Sequence, residues 1–233
     1  MDFIEGEILC FDKPLRWTSF DVVRKVRYHL CQKLGVRKLK VGHAGTLDPL
    51  ATGVMVVCTG KATKRIDELQ AHVKEYVATL QFGATTPCFD LEKPIDRTYP
   101  TEHITEALVR EALSRFQGRI EQVPPAFSAC KVDGHRAYDL ARKGKEVELG
   151  PKILVIDEIE LQAYDDEKKQ ATIRVVCSKG TYIRALARDI GQALESGAHL
   201  ISLRRTRVGN VRVEDCLRVE DFPEWLALEI HNS

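Results

Sequence analysis

The residues best suited to chemistry lie in one stretch, Val41 to Gly60, which reads V-G-H-A-G-T-L-D-P-L-A-T-G-V-M-V-V-C-T-G. It holds one histidine, His43, and one carboxylate, Asp48, in a loop with Gly42, Gly45, Gly53 and Pro49. Glycine allows backbone conformations and close approaches that a side chain would block, and proline stiffens the residue after the acid. The β-branched apolar run Val54 to Cys58 follows directly and predicts a strand that anchors the loop to a sheet. A carboxylate held still in this way suits nucleophilic or acid–base work. A phosphate cradle is the rival use of such a loop, since Gly60-Lys61-Ala62-Thr63 has part of a P-loop ending. The spacing excludes it: that pattern needs glycine where Met55 stands.

Other chemistries find less support. Seven cysteines, at 10, 31, 58, 88, 130, 177 and 216, are never closer than 21 residues, and neither C-x-x-C nor H-x-x-x-H occurs. That spacing argues against a zinc site, and the odd count against a disulfide framework, so small buried apolar roles are expected. No metal and no cofactor is expected. Net charge is only +1, but basic residues cluster at Arg37-Lys38-x-Lys40, Lys61-x-x-Lys64-Arg65 and Arg204-Arg205-x-Arg207, and acids at 157–167 and 214–224. Local patches of this kind, rather than global charge, set phosphate contacts. No run approaches the roughly 18 apolar residues of a membrane span, and Met1-Asp2-Phe3-Ile4-Glu5 has no secretory pattern, so a cytoplasmic protein is expected.

The elements that must position the loop can be read from periodicity. Ile8 to Phe11 predicts a strand, broken by Asp12-Lys13-Pro14; Thr18-Ser19 then caps a helix with apolar positions 22, 23, 26 and 30. Ala62 to Val73 predicts an amphipathic helix, and Glu75 to Phe82 a strand with Tyr76, Ala78, Leu80 and Phe82 on one face. Residues 84–100 read as a loop, and Thr101 to Phe116 as a helix ended by Gly118. Pro124-Pro125 predicts an irregular surface segment over 122–131. Ile153 to Tyr164 and Ala171 to Cys177 predict a hairpin, followed by a helix to about Glu195. No repeat or composition shift divides the 233 residues, and 44% apolar residues suffice for one substantial core.

G-H-A-G-T-L-D-P-L-A-T-G-V resembles, nearly letter for letter, the signature of the TruB-type tRNA pseudouridine synthases, G-H-T-G-T-L-D-P-x-A-x-G-V-L. Further segments match in the same order. They are Lys13-Pro14 with Thr18-Ser19, the strand K-E-Y-V-A-T-L-Q-F-G, Q-x-P-P-x-F-S-A-x-K with A-Y-x-x-A-R-x-G, C-S-K-G-T-Y-I-R, and A-H-L-I-S-L-R-R-T. Together they span roughly residues 8 to 210. The chain departs from the family pattern at Arg16, where glycine is usual, and at Ala44, where threonine is usual.

The resemblance implies an α+β pseudouridine synthase catalytic fold, with a mixed, largely antiparallel central sheet flanked by helices and loops. It implies a catalytic domain over 1–210 and a short extension over 211–233 with no separate PUA-type domain. The implied activity is that of an isomerase converting uridine 55 in the T loop of tRNA to pseudouridine by base flipping. Asp48 would be the nucleophile and Arg184 its partner. Tyr76 would lie against the target base, Tyr182 and Leu203 would line the pocket, and His43 would stack within the RNA loop. The T stem-loop of tRNA is the expected partner of a monomer that needs no membrane and no other protein. Two alternatives are a guide-RNA-dependent synthase of the dyskerin type and a non-catalytic tRNA-binding or folding module.

Overall fold

The computed structural model describes residues 1–128, 130–132, 135–144 and 147–231. In chain order the elements begin with β1 (Ile8–Lys13), α1 (Ser19–Leu34), β2 (Val41–His43), β3 (Ala51–Thr59), a 3-10 turn (Gly60–Arg65), α2 (Ile66–Gln70) and β4 (Lys74–Phe82). The middle of the chain forms β5 (Ala84–Thr85), β6 (Arg97–Thr98), α3 (Glu106–Ser114), β7 (Gly118–Gln122), β8 (Lys131–Val132), β9 (His135–Arg136) and α4 (Ala137–Arg142). The remainder forms β10 (Lys152–Asp165), β11 (Gln170–Cys177), α5 (Ile183–Ala193), β12 (Ala198–Val208), β13 (Val211–Arg212), β14 (Leu217–Arg218) and α6 (Phe222–His231). Two compact units emerge: Met1–Glu75 with Arg204–Ser233, and Tyr76–Leu203. Strands pair both parallel and antiparallel and carry flanking helices, the α+β arrangement that the family resemblance implies.

In the first unit the strand order is β14-β1-β3-β12, with β2 on β3 and β13 on β12. Strand β3 shows why Val54 to Cys58 lacks polar alternation. Met55 and Val57 face one core cluster, with Phe11, Val22, Val26, Leu30 and Phe222. Val54, Val56 and Cys58 face another, with Ala44, Leu69, Val208 and Val213. A strand covered on both faces needs no polar side. Helix α1 starts as its sequence dictates: Thr18 accepts from the Asp21 backbone, Asp21 answers through the Thr18 backbone, and this capping box satisfies two otherwise orphaned donors. Gly35, left-handed at φ 66°, ends it.

In the second unit β4, β11, β10 and β7 lie side by side. The predicted hairpin is present, with Asp165 opposite Gln170 at its tip. Strand β4 alternates as expected, burying Tyr76, Ala78, Leu80 and Phe82. Helix α5 buries Leu186, Ala187 and Ile190.

Three local expectations change. Ala62 to Val73 is a 3-10 turn followed by the short α2, because the Thr63 hydroxyl donates to the Gly60 carbonyl at 2.8 Å and competes with helical bonding there. Helix α3 starts at Glu106 rather than Thr101, because the Thr105 hydroxyl caps the Leu108 N–H. The segment after β7 is irregular but not superficial: Pro124, Pro125, Ser128 and Cys130 are buried, while Ala129 lies outside the described residues. Among the described residues no helix is long and apolar enough to cross a membrane.

Candidate active site

The loop carrying Asp48 joins β2 to β3, and its backbone is tied down on every side within the first unit. The Ala51 N–H donates to the Asp48 carbonyl at 3.0 Å, closing a turn with Pro49 at its first central position, where proline's fixed φ is an advantage. One residue earlier, the Leu47 N–H donates to Ser19 Oγ at 2.9 Å and the Ser19 hydroxyl donates to the Leu47 carbonyl at 3.1 Å. The Arg16 N–H donates to the Pro49 carbonyl at 2.7 Å. The start of α1 therefore clamps the residues on either side of the acid.

Arg205, fully buried in β12, braces the same loop from its other end. Its Nε donates to the Val54 carbonyl at 2.8 Å, Nη2 to Gly45 at 3.2 Å and Nη1 to Thr46 at 3.4 Å. A planar guanidinium, with donors on three nitrogens in a rigid fork, can serve three separate carbonyls in fixed directions. Gly53 explains itself here: at φ 111°, a β-carbon on it would stand 2.1 Å from the Arg205 carbonyl oxygen. Next to Arg205, Arg204 grips both oxygens of Asp12 at 3.1 and 2.8 Å and also donates to Thr52 Oγ1 at 3.2 Å.

Asp48 is half-buried, and the residues around it set the electrostatics. Lys13 has no exposed surface; its Nζ donates to the Trp17 carbonyl at 2.6 Å and the Pro14 carbonyl at 3.0 Å. Burial pushes the Lys13 ammonium down to about 8, while the Asp48 carboxylate works against that fall and Arg205 adds to it. Asp48 thus sits in the field of a buried lysine. His43 is held below its ordinary value by burial and then by Arg205, so its ring is neutral at neutral pH. Its Nδ1 is buried beside the Gly45 backbone with no hydrogen bond of ordinary geometry.

The second unit contains four more of the expected residues. Tyr76 is buried at the start of β4. Tyr182 caps α5, its N–H donating to Gln122 Oε1 at 2.9 Å while Gln122 Nε2 donates back to the Tyr182 carbonyl at 3.2 Å. Its phenol lies 3.5 Å from Cys130 Sγ, and burial, then that sulfur, raises its pKa well above the ordinary range. Arg184, buried two residues on, donates to the Cys88 carbonyl at 3.1 Å and the Phe127 carbonyl at 2.9 Å, and its charge is felt by Tyr182. Leu203 is half-buried in β12. Among the described residues Cys88, Asp90 and Glu92 hold their ligand atoms within 4.8 Å of one another, and burial and the two acids push the thiol up to about 11.

Residues 32–183 match the family model for the N-terminal domain of the TruB family pseudouridylate synthases, and residues 184–232 match the C-terminal domain model of tRNA pseudouridylate synthase B. The chain belongs to the TruB family. A TruB-family relative from Phocaeicola vulgatus, called tRNA pseudouridine synthase B, is 75% identical over 97% of this chain and 95% of its own length. One of the same name from Bacteroides thetaiotaomicron is 71% identical over 100% of this chain and 98% of its own. A chain in the crystal structure of a Cbf5-Nop10-Gar1 complex superimposes with a TM-score of 0.72 at 28% identity, covering 96% of this chain and 55% of that one.

Lys13, Ser19 and Arg205 were not expected in the site, although each stands in a segment by which the sequence resembles the TruB family. A signal was available: a lysine before proline at the end of an apolar strand, and two adjacent arginines in a β-rich run, are poor candidates for solvated surface.

Proposed function

We propose that this chain converts uridine 55 in the T loop of tRNA to pseudouridine, with Asp48 as the nucleophile. The observation that carries the reading is the clamped turn around Asp48: two neighbouring elements fix its backbone, and its carboxylate acts electrostatically on the buried Lys13. The reaction breaks the bond between ribose C1′ and uracil N1, turns the base, and joins C1′ to C5. The C5 proton is lost and N1 takes one up, so no redox carrier or metal is required. An ionised carboxylate can attack C6 or C1′, or assist elimination at C2′.

The target uridine has to leave the folded RNA, at a cost of a few kcal/mol, and stacking on an aromatic ring returns about 1–3 kcal/mol. Tyr76 is assigned that stacking and the relay of the C5 proton, and Tyr182 and Leu203 the lining of the base pocket. Arg184 is assigned to hold and aim the Asp48 carboxylate by paired hydrogen bonds. His43, neutral and half-buried, is assigned to stack within the RNA loop. The enzyme works as a monomer in the cytoplasm without a protein partner.

A guide-RNA-dependent synthase is the competing reading that the likeness to the Cbf5-containing complex favours. The test is to give the purified chain bare tRNA transcript labelled with tritium at uracil C5. Release of tritium without added RNA or protein, lost when uridine 55 is replaced by cytidine, is the expected result. Release only on adding a guide RNA would favour the rival.

A further inference from the structure

Helix α1 does more than cap the catalytic loop. Its inner face, Val22, Val23, Val26 and Leu30, is core. Its outer face carries Phe20, Arg24 and Tyr28, four residues apart and so aligned along one side. Phe20 and Tyr28 are each 60% exposed and the Arg24 side chain 69%. Large aromatic rings held in water this way, about 12 Å apart along the axis, contribute little to folding.

The charge around them is one-sided. Between Pro14 and Lys40 the sequence holds eight Lys or Arg residues and one acid, Asp21, although the whole chain is only +1. Asp21 is committed to the helix start, accepting from the Thr18 backbone and hydroxyl, and its exposed pair with Arg24 is weak. Arg16 adds a separate sign. It is exposed and adopts φ 68°, a left-handed conformation that strains any residue with a side chain and that glycine would adopt freely. What arginine supplies at that turn is a cation, one residue-length from the bond its own N–H makes to Pro49. A basic helix with exposed rings and almost no acid matches a polyanion with stackable faces. A protein interface would instead be depleted in lysine at its centre.

We infer that the outer face of α1 binds the substrate RNA beside the nucleotide presented to Asp48. Phe20 and Tyr28 stack unpaired bases, and Arg16, Arg24 and Lys33 contact phosphates. The inference rests on the reading of tRNA as substrate, and extends the site about 20 Å along the helix from the Ser19–Leu47 contact.

The test measures tRNA affinity directly by fluorescence anisotropy and follows tritium release separately. Two variants are used, Phe20→Ala with Tyr28→Ala, and Arg16→Gly with Arg24→Gln. Each pair is expected to bind tRNA about tenfold more weakly or worse. The charge pair should also lower the salt dependence of log K by about 0.7 for each phosphate that is no longer neutralised. Arg16→Gly relieves backbone strain, so thermal stability of that pair should hold, which separates weakened binding from weakened folding. Arg110→Gln in α3 with Arg115→Gln at its C-terminal cap, both exposed, is the control and should bind as the wild type does. Wild-type affinity and salt slope in both test pairs would overturn the inference and return this face to solvent or to a protein partner. A wild type that binds tRNA but releases no tritium would instead count against the proposed function.

Discussion

Lys13 is the residue whose surroundings say most about the site. A lysine with no exposed surface, donating only to the neutral carbonyls of Pro14 and Trp17, finds its opposing charge in Asp48. Burial lowers it from 10.5 to about 8. Between those values the unfolded chain keeps a proton that the folded chain has released, so stability contributed by this group rises with pH across that window. Below about 8 the cost of the buried charge is fully present. The melting temperature of the wild type relative to Lys13→Met should therefore climb by several degrees from about pH 8 to about pH 10. A difference that stays flat in thermal melts across that range would show that burial does not lower the Lys13 ammonium in the folded chain. Asp48 could be singled out as a candidate because the glycine- and proline-framed loop around it carries the resemblance to the family signature. Lys13 could not, because a lysine next to proline usually reads as the exposed end of a strand, and only its position behind the turn buries it.

At the scale of elements, β3 and β12 approach so closely at Gly53 that no side chain fits. With φ 111° and a β-carbon position 2.1 Å from the Arg205 carbonyl oxygen, Gly53→Ala should cost about 3 kcal/mol or more in urea unfolding and take tritium release with it. Gly35→Ala makes the contrast. Its φ of 66° is also left-handed, but nothing lies within 4 Å of the added carbon, so the expected loss is about 1 kcal/mol with activity retained. Equal losses at the two positions would show that backbone conformation alone, and not the contact with β12, decides the effect. The strands were legible because alternation in β4 and an unbroken apolar run in β3 have single explanations. The ends of α2 and α3 were not, because the hydroxyls of Thr63 and Thr105 settle them by local hydrogen bonds that periodicity does not register.

On the scale of the whole molecule, a near-zero net charge conceals a basic N-terminal segment, and a chain without composition shifts forms two compact units. The division leaves no mark in the sequence because β4 and β12 each contribute residues to both units, so no linker separates them. What the order of motifs did convey was the family and its α+β fold, since several matching segments in one order constrain topology more than any single periodicity. The central claim is that the Asp48 carboxylate performs the chemistry and the rest of the molecule presents RNA to it. Asp48→Asn removes the charge but almost no volume, so tRNA affinity should stay within about tenfold of the wild type while tritium release from C5-labelled tRNA is abolished. Release by Asp48→Asn at the wild-type rate would contradict the account.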